Sequence, residues 1–260
     1  WGSPAIFAVS DGTGGVARAL AVAGFAQFGS SEEADVQVCP GIRSEDDVRS
    51  VVLRAASAAP QDSLRIEQAG AMLIYTLASP DLGDLLRREA GKRGVPCIDV
   101  LEPVLVAMER CFGLKRSLLF SEGDQLLDGL EADDRTVFAV SDSSGDSTFA
   151  MVCAALQQFP DSGVRDVTVC AEVLSLEEIN HIVDEADAVD SLIIFSFASS
   201  GMSRFMRQQC SRAGVPFADV YQPVLVALEK YLDYPPVGVP GGHDLNSGQD
   251  WHERWSKLPV

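Results

Sequence analysis

The sequence has few basic residues, and this shortage argues against proteins that bind nucleic acid or anionic membranes through positive charge. Only 20 Lys and Arg stand against 38 Asp and Glu, which gives a formal net charge of −18. A phosphate backbone or an anionic lipid surface needs clustered Lys and Arg. The acidity is instead typical of a protein that stays dissolved in a crowded compartment.

The sequence also lacks the patterns of a metal site, a membrane span and a phosphate loop. Its six cysteines form no Cys-x-x-Cys pair and its three histidines are scattered, so no metal site or catalytic histidine pair is expected. Cysteines among apolar neighbours are typical of a reduced compartment. No apolar run approaches the roughly 18 residues that cross a bilayer. The GxxxxGK[ST] motif of phosphoryl transfer is absent from all 260 residues.

What the sequence does contain is a long internal repeat. The segment Ala5–Gly14 returns as Thr136–Gly145, at an offset of 131 residues. Later in each copy, Gly94–Pro96 matches Gly214–Pro216 at an offset of 120, because the first copy carries 11 extra residues around Ser57–Arg65. A unit of about 110 residues has the size of a domain rather than of a solenoid repeat.

The repeat predicts four segments of chain. The first repeat is assigned to residues 1–116, an acidic linker to 117–135, the second repeat to 136–234, and an irregular tail rich in Pro and Gly to 235–260. The function is therefore expected to be that of one module, present twice.

Within each repeat, short apolar runs alternate with segments of helical periodicity. Ala71–Leu77 is apolar almost throughout, which is typical of a strand buried on both faces of a parallel sheet. Ser44 is expected to begin a helix as its N-cap, and Pro103 to lie where another helix begins. The pattern predicts two tandem Rossmann-like or flavodoxin-like α/β domains. Each is expected to have a mostly parallel four-stranded sheet with helices on both faces.

The loop after the first strand of each repeat is the strongest candidate for a ligand site. Ligands of open parallel sheets collect beyond the carboxyl ends of the strands, and free N–H groups at a helix start suit a phosphate or carboxylate. The alternative is a strand–helix turn that binds nothing. The candidate nucleotide-binding residues are small, acidic or hydroxyl-bearing: Ser10, Asp11, Gly12, Thr13, Gly14, Gly15, Ser141, Asp142, Ser143, Ser144, Gly145 and Ser147.

The two candidate loops differ in charge. Gly15 of the first loop corresponds to Asp146 of the second, so electrostatics favours the first loop if only one of them binds an anion, although the second keeps more hydroxyl donors. The aspartate common to both loops argues against a simple phosphate cradle. It suits instead a helix cap or an acceptor for a ribose or a base. Gly14→Asp is expected to abolish binding of an anion at the first loop and to leave the fold intact.

Other polar and aromatic residues at the same edge are weaker candidates. Plain strand ends and hydrogen-bonded structural carboxylates are the alternatives for them. They end the third and fourth strands of the repeats: Tyr75, Thr76, Phe195, Ser196, Asp99 and Asp219. No catalytic residue and no metal ligand is predicted.

The ordered set of motifs resembles the amino-terminal half of the pyruvate, phosphate dikinase regulatory proteins, whose bacterial relatives regulate phosphoenolpyruvate synthase. The set comprises a strand ending in Ser-Asp-Gly/Ser-Thr/Ser-Gly, a helix ending in Gln-Phe, then Gly-Val-Pro-x-x-Asp and a Pro-led helix. It covers Ala5–Phe112 and Thr136–Tyr231. Pro240–Leu245 with Trp251 and Arg254 resembles the segment that links the two halves of family members.

The resemblance implies a bifunctional family that phosphorylates a threonine of its target enzyme with ADP and removes the phosphate in a phosphate-dependent, pyrophosphate-forming reaction. It places this chemistry in a carboxy-terminal half, in whose place this chain has a second amino-terminal module. The chain is therefore expected to be a regulatory or adaptor protein rather than an enzyme, with AMP or ADP as effector and a dikinase-like enzyme or a larger complex as partner. The implied compartment is the plastid stroma, with the cytoplasm as the alternative.

Two other functions stay open at this point. The chain is also interpretable as a fragment of the bifunctional kinase and pyrophosphorylase whose catalytic half is missing, or as a purely structural subunit of a larger assembly. In each case the two repeats are expected to form an intramolecular pseudo-dimer. The apolar Pro-led helices of the two repeats are candidates for the surface that joins them, and ordinary sheet-covering helices explain them equally well.

Overall fold

A computed structural model describes residues 5–28, 35–58, 71–117, 135–189 and 191–240, apart from the side chain of Arg165. Most of the predicted acidic linker, most of the tail and the greater part of the 11-residue insertion lie outside the described residues. The segment boundaries at 116, 135 and 234 therefore stay predictions.

The first repeat forms a four-stranded, wholly parallel sheet in the order β2-β1-β3-β4. All six residues of β3 are buried, as the apolar run predicted. The strands are β1 (Ala5–Ser10), β2 (Asp35–Cys39), β3 (Ala71–Thr76) and β4 (Cys97–Asp99). The helices are α1 (Gly15–Ala26), α2 (Glu45–Ser57), α3 (Pro80–Lys92) and α4 (Glu102–Phe112).

The second repeat forms a separate sheet with the equivalent order β6-β5-β7-β8, again wholly parallel. Its strands are β5 (Arg135–Ser141), β6 (Val164–Cys170), β7 (Ser191–Ser196) and β8 (Phe217–Asp219). Its helices are α5 (Asp146–Leu156), α6 (Leu176–Asp187), α7 (Ser200–Ala213) and α8 (Gln222–Leu232). The prediction of two tandem α/β domains is confirmed.

Local signals in the sequence account for helix boundaries in both repeats. Ser44 is the N-cap of α2, as predicted, and forms a capping box with Asp47. Ser175 and Glu178 form the same box at the start of α6. Each box satisfies peptide N–H groups that have no partner inside the helix, so the two repeats use one device at corresponding positions.

The last helix of each repeat covers the sheet of the other repeat. α4 packs against β7, β8 and α5 of the second repeat, whereas α8 packs against α1 and β4 of the first. One hydrophobic core therefore contains buried residues of both repeats, among them Leu105 of α4 and Leu225 of α8. Each repeat also has an outer core of its own, formed with α2 and α3 or with α6 and α7. The Pro-led helices therefore form the surface that joins the repeats, and each covers the sheet of the other repeat rather than its own, as an ordinary covering helix would.

The segments that follow the exchanged helices are also exchanged. The N–H of Ser117, just after α4, donates to the carbonyl oxygen of Gln158 in the second repeat at 2.6 Å. The N–H of Val237, after α8, donates to the carbonyl oxygen of Gln27 in the first repeat at the same distance. Gln27 and Gln158 correspond at the 131-residue offset. The two halves are therefore related as the subunits of a helix-exchanged dimer, within one chain.

Close approach of α1 and α8 depends on Gly24. A Cβ added there would lie 2.8 Å from Leu228 Cδ1 and 3.1 Å from Val224 Cγ1. We expect Gly24→Leu to lower the free energy of unfolding by about 1–3 kcal/mol, because an extra side chain must displace both neighbours. Urea denaturation measures this change.

Gly91→Leu is the matched control for this substitution. Gly91 lies in α3, and no atom lies within 4 Å of a Cβ added to it. Leucine has the higher helix propensity, so the control is expected to keep or raise stability. Equal losses in the two variants would contradict close packing of α8 on α1.

Candidate functional site

The aspartate of each candidate loop holds two loops of its repeat together. Asp11 Oδ2 accepts a hydrogen bond from the N–H of Ala78 at 2.7 Å, and Asp142 Oδ2 accepts one from the N–H of Ala198 at 2.7 Å. The loop after the first strand is thereby tied to the loop after the third. Neither aspartate caps the following helix, so that alternative for their role is wrong.

Glycines cap the helices that follow the candidate loops. Gly14 and Gly145 are the N-caps of α1 and α5, with φ of 78° and 81°, and neither helix has a side-chain cap. A Cβ on Gly14 would lie 2.6 Å from Val38 Cγ1, and one on Gly145 would lie 2.9 Å from Val169 Cγ1. Left-handed backbone disfavours any residue with a Cβ. The expectation that Gly14→Asp leaves the fold intact is therefore wrong, because the substitution adds strain and a clash.

A cavity of about 280 Å³ lies between the first repeat and the second candidate loop. From α1 and its end it is lined by Arg18, Ala19, Leu20, Val22, Ala23 and Gln27. From the second repeat it is lined by Ser141, Asp142, Ser143, Ser144, Gly145, Asp146, Ser147, Ser196, Ala198 and Tyr221. Every predicted site residue of the second loop thus lines one cavity, and the helix opposite belongs to the other repeat.

The predicted residues of the first loop, Ser10–Gly15, do not line this cavity. Arg43 lies beside them, and its Nε donates to the carbonyl oxygen of Asp11 at 3.3 Å. Electrostatics favoured the first loop for an anion, whereas the cavity lies against the second. Which loop holds a ligand stays a prediction.

Hydroxyl groups form a hydrogen-bonded chain in the wall of the cavity. Ser196 Oγ donates to Ser141 Oγ at 3.1 Å and is 2.6 Å from Thr148 Oγ1. Ser141 Oγ also accepts a hydrogen bond from the N–H of Ser143 at 3.2 Å. Both serines and Thr148 are buried. The wall therefore offers polar groups whose positions are set before any ligand enters.

Burial alters the acidity of groups in the cavity wall. Only 7% of Asp142 is exposed, and burial raises the pKa of its carboxyl to about 7, against the opposing effect of hydrogen bonds from the Ala198 and Ser199 N–H groups. Burial, and then the charge of Asp142, raise the pKa of Tyr221. Burial also raises the pKa of Asp11 in the first loop. Near neutral pH, Asp142 can both donate to and accept from a ligand.

Gln27 connects the cavity to the chain that follows α8. Its side chain is 2% exposed and contributes to the cavity lining. Its Nε2 donates to the carbonyl oxygen of Val239 at 2.9 Å, and its Oε1 accepts from the N–H of Val239 at 3.0 Å. Gln27, Arg18 and Tyr221 are lining residues that the sequence analysis did not predict as site residues, although Gln27 belongs to the repeated Gln-Phe motif. Arg18 and Gln27 reach the cavity through the packing of one repeat on the other, which no local signal records, whereas Tyr221 follows β8 in the same repeat as the loop.

Most of the weaker candidates at the ends of the third and fourth strands lie away from the cavity. Ser196 lines the cavity, whereas Tyr75 and Phe195 are fully buried in the outer cores of their repeats. Asp99 accepts hydrogen bonds from two N–H groups at the start of α4, at 3.1 and 3.0 Å. Asp219 accepts the equivalent pair at α8, both at 3.1 Å, and also pairs with Arg207. These two carboxylates hold the starts of the exchanged helices.

Within the described ranges, no cluster of His, Cys, Asp or Glu has the form of a metal site. In the same part of the chain, no helix is long and apolar enough to span a membrane.

The solved structures that match this chain are remote from it. A carbohydrate transporter from Acidothermus cellulolyticus, in complex with myo-inositol, matches with a TM-score of 0.29 and 12% identity, over 84% of this chain and 73% of that one. A periplasmic sugar-binding protein from Legionella pneumophila matches with a TM-score of 0.28 and 12% identity, over 99% and 97%. At these TM-scores the likeness carries no information on function.

The curated relatives described next are both assigned as pyruvate, phosphate dikinase regulatory proteins. A protein from Citrifermentans bemidjiense, assigned as a pyruvate, phosphate dikinase regulatory protein, is 26% identical over 112 residues, which are 43% of this chain and 41% of the relative. One from Syntrophomonas wolfei is 31% identical over 106 residues, 41% and 34% of the two chains. The matches thus span well under half the length of these relatives. The family model described as kinase/pyrophosphorylase matches residues 6–128 and again 137–255. Because these two matches cover most of the sequence, the chain belongs to the kinase/pyrophosphorylase family.

Proposed function

We propose that this protein is a non-catalytic regulatory or adaptor protein that senses an adenine nucleotide between its two repeats and docks to a dikinase-like enzyme. The observation that carries the proposal is the cavity shared by α1 and the second loop. The plastid stroma is the proposed compartment, with the cytoplasm as the alternative, on the family resemblance alone.

The lining of the cavity suits a small polar ligand. Its volume of about 280 Å³ is just below the range for ligand sites, about 300–1,000 Å³, so it suits a small ligand. Arg18 supplies a guanidinium for a phosphate, and Asp142 and the serine hydroxyls supply partners for a ribose or a base. Leu20 and Val22 supply apolar surface on the opposite side.

A regulatory role follows from where the cavity lies. A ligand there contacts both repeats, so its binding energy favours the arrangement of the repeats that forms the cavity. The absence of a GxxxxGK[ST] motif from the sequence supports a sensing role over phosphoryl transfer. The bonds of Gln27 to Val239 offer a route from the ligand to the chain that follows.

Titration with AMP and ADP during thermal unfolding tests the proposal. A ligand at a hundred times its dissociation constant is expected to add about 2.7 kcal/mol to the free energy of unfolding. Sodium phosphate at matched ionic strength is the control. An unchanged melting temperature at millimolar nucleotide would contradict nucleotide sensing and favour a structural subunit.

A second candidate function is part of a bifunctional kinase and pyrophosphorylase. The observation in its favour is that the curated relatives extend well beyond the matched segment, which makes up 41% and 34% of the two relatives above. Sequencing of the complete gene distinguishes this function from the first. A gene that continues into a segment with a phosphate loop would favour the enzyme.

A further inference from the structure

We propose that the chain binds one organic phosphate monoester, in the cavity between α1 and the second loop, and that Arg18 determines this choice of ligand and loop. The inference rests on the proposed function and goes further, since it assigns the occupied site, the number of ligands and the residue that recognises the phosphate. A symmetric pair of repeats would instead offer two equivalent sites.

The pseudo-symmetry of the repeats predicts a counterpart of this cavity at the first loop, and there the residue equivalent to Arg18 is not an arginine. In that counterpart the first loop would face α5, as the second loop faces α1 in the cavity. At the 131-residue offset, Arg18 of α1 corresponds to Phe149 of α5. Phe149 is 41% exposed, and an exposed phenyl ring cannot pair with a phosphate. At the 120-residue offset, the cavity residue Tyr221 corresponds to Leu101, so the counterpart would also lack this hydroxyl.

The two candidate loops also differ in their hydroxyl groups, and the second loop is again better suited to a polar ligand. The second loop presents hydroxyls at Ser143 and Ser147 where the first has Gly12 and Val16, whereas Ser144 and Thr13 both carry one. In the second repeat Ser196 bonds to Ser141 and contacts Thr148; position 148 corresponds to an alanine, Ala17, in the first. Polar ligand groups therefore find more partners in the cavity at the second loop, and Arg18 lies there as well.

The charges of the cavity select for a single phosphate. Arg18 is the cation among its lining residues, Asp146 is an exposed acidic residue beside it, and Asp142 adds a second negative charge only as the pH rises through its pKa of about 7. Each further phosphate group would add negative charge beside these carboxylates, and like charges at short range disfavour binding. The affinity is therefore expected to fall from AMP to ADP to ATP.

Arg43 provides a matched cation beside the other loop. Its Nε donates to the carbonyl oxygen of Asp11 at 3.3 Å, and its counterpart in the second repeat is Leu174. An arginine therefore lies near each candidate loop: Arg18 of the opposite repeat at the second loop, and Arg43 of the same repeat at the first. Replacement of each arginine in turn therefore shows which of the two loops binds the ligand.

Isothermal titration calorimetry of the full chain with AMP tests the inference. We expect one AMP per chain. Arg18→Ala is expected to weaken AMP binding about 10- to 100-fold, the usual effect of losing a charge-assisted hydrogen bond. Arg18→Lys is expected to recover part of the loss, and Arg43→Ala to bind as the unmodified chain does. Arg18 is exposed on α1, so these variants are expected to keep the fold, which circular dichroism checks.

The outcomes of these titrations separate failure of this inference from failure of the proposed function. Two AMP per chain, loss of binding in Arg43→Ala, or full affinity in Arg18→Ala would overturn this inference and leave nucleotide sensing standing. ADP or ATP binding more tightly than AMP would overturn the selection for a single phosphate. No heat and no thermal shift with any of the three nucleotides would overturn the proposed function, and the inference with it.

Discussion

Truncation of Leu228 to alanine is expected to lower the free energy of unfolding by about 2–5 kcal/mol, the range for a buried leucine, and to destabilise both repeats together. Leu228 is fully buried in the core that contains residues of both repeats. It belongs to α8, which packs against α1 and β4 of the first repeat. Loss of its side chain therefore opens a cavity under the first sheet although the substitution is in the second repeat.

Chemical denaturation gives the size of the effect, and amide hydrogen exchange shows where it acts. Exchange of the amides in β1 and in β5 is expected to quicken by a similar factor, because one shared core makes the two repeats a single cooperative unit. Val226→Ala is the control on the same helix, since Val226 is 60% exposed. Its effect is expected to stay within about 0.5 kcal/mol.

Two resolved transitions in the denaturation of the unmodified chain would contradict this account of the fold. Faster exchange confined to the second repeat in Leu228→Ala would contradict it as well. Either result would mean that the exchanged helices contribute little to the stability of the sheets they cover.

Asp142→Asn is expected to remove a pH dependence of stability worth about 2–4 kcal/mol across the acid to neutral range. Burial raises the pKa of Asp142 from 3.8 to about 7. The folded protein therefore holds this proton more tightly than the unfolded chain does. The resulting stabilisation is complete below about pH 4 and is lost as the pH rises through 7.

Asparagine resembles the protonated carboxyl and cannot ionise. The variant is therefore expected to gain stability relative to the unmodified chain as the pH rises from 4 to 8, while its amide oxygen still accepts the Ala198 N–H. Urea denaturation at a series of pH values measures the difference. Asp146→Asn is the control, because Asp146 is exposed on the same loop. A constant difference between Asp142→Asn and the unmodified chain would show that Asp142 does not titrate in this range.

Much of the fold could be predicted because its signals are local and occur twice. Ala71–Leu77 reads as a buried strand from its composition, and Ser44 as a helix N-cap from its side chain and the acidic turn that follows. The periodicity of the Pro-led helices established that they have an apolar face. It could not establish whose sheet that face covers, since the same stripe of residues serves a helix on its own domain or on a neighbouring one.

The candidate site was predictable only in part, because local patterns do not show which distant residues pack against it. Its loop residues follow from the rule that ligands collect at the carboxyl ends of parallel strands. The consequence of a side chain at Gly14 depended on Val38 in a neighbouring strand, which no motif around Gly14 records.

The amino-acid sequence by itself determined two copies of an α/β module, the caps and turns within each, and the family to which they belong. Tertiary structure alone decided that the copies exchange their last helices and that Arg18 and Gln27 of one copy face the loop of the other. The reason is physical: backbone propensity and hydrophobic period act over a few neighbouring residues, whereas a cavity between repeats is made by side chains that are distant in sequence and meet only when the shared core forms.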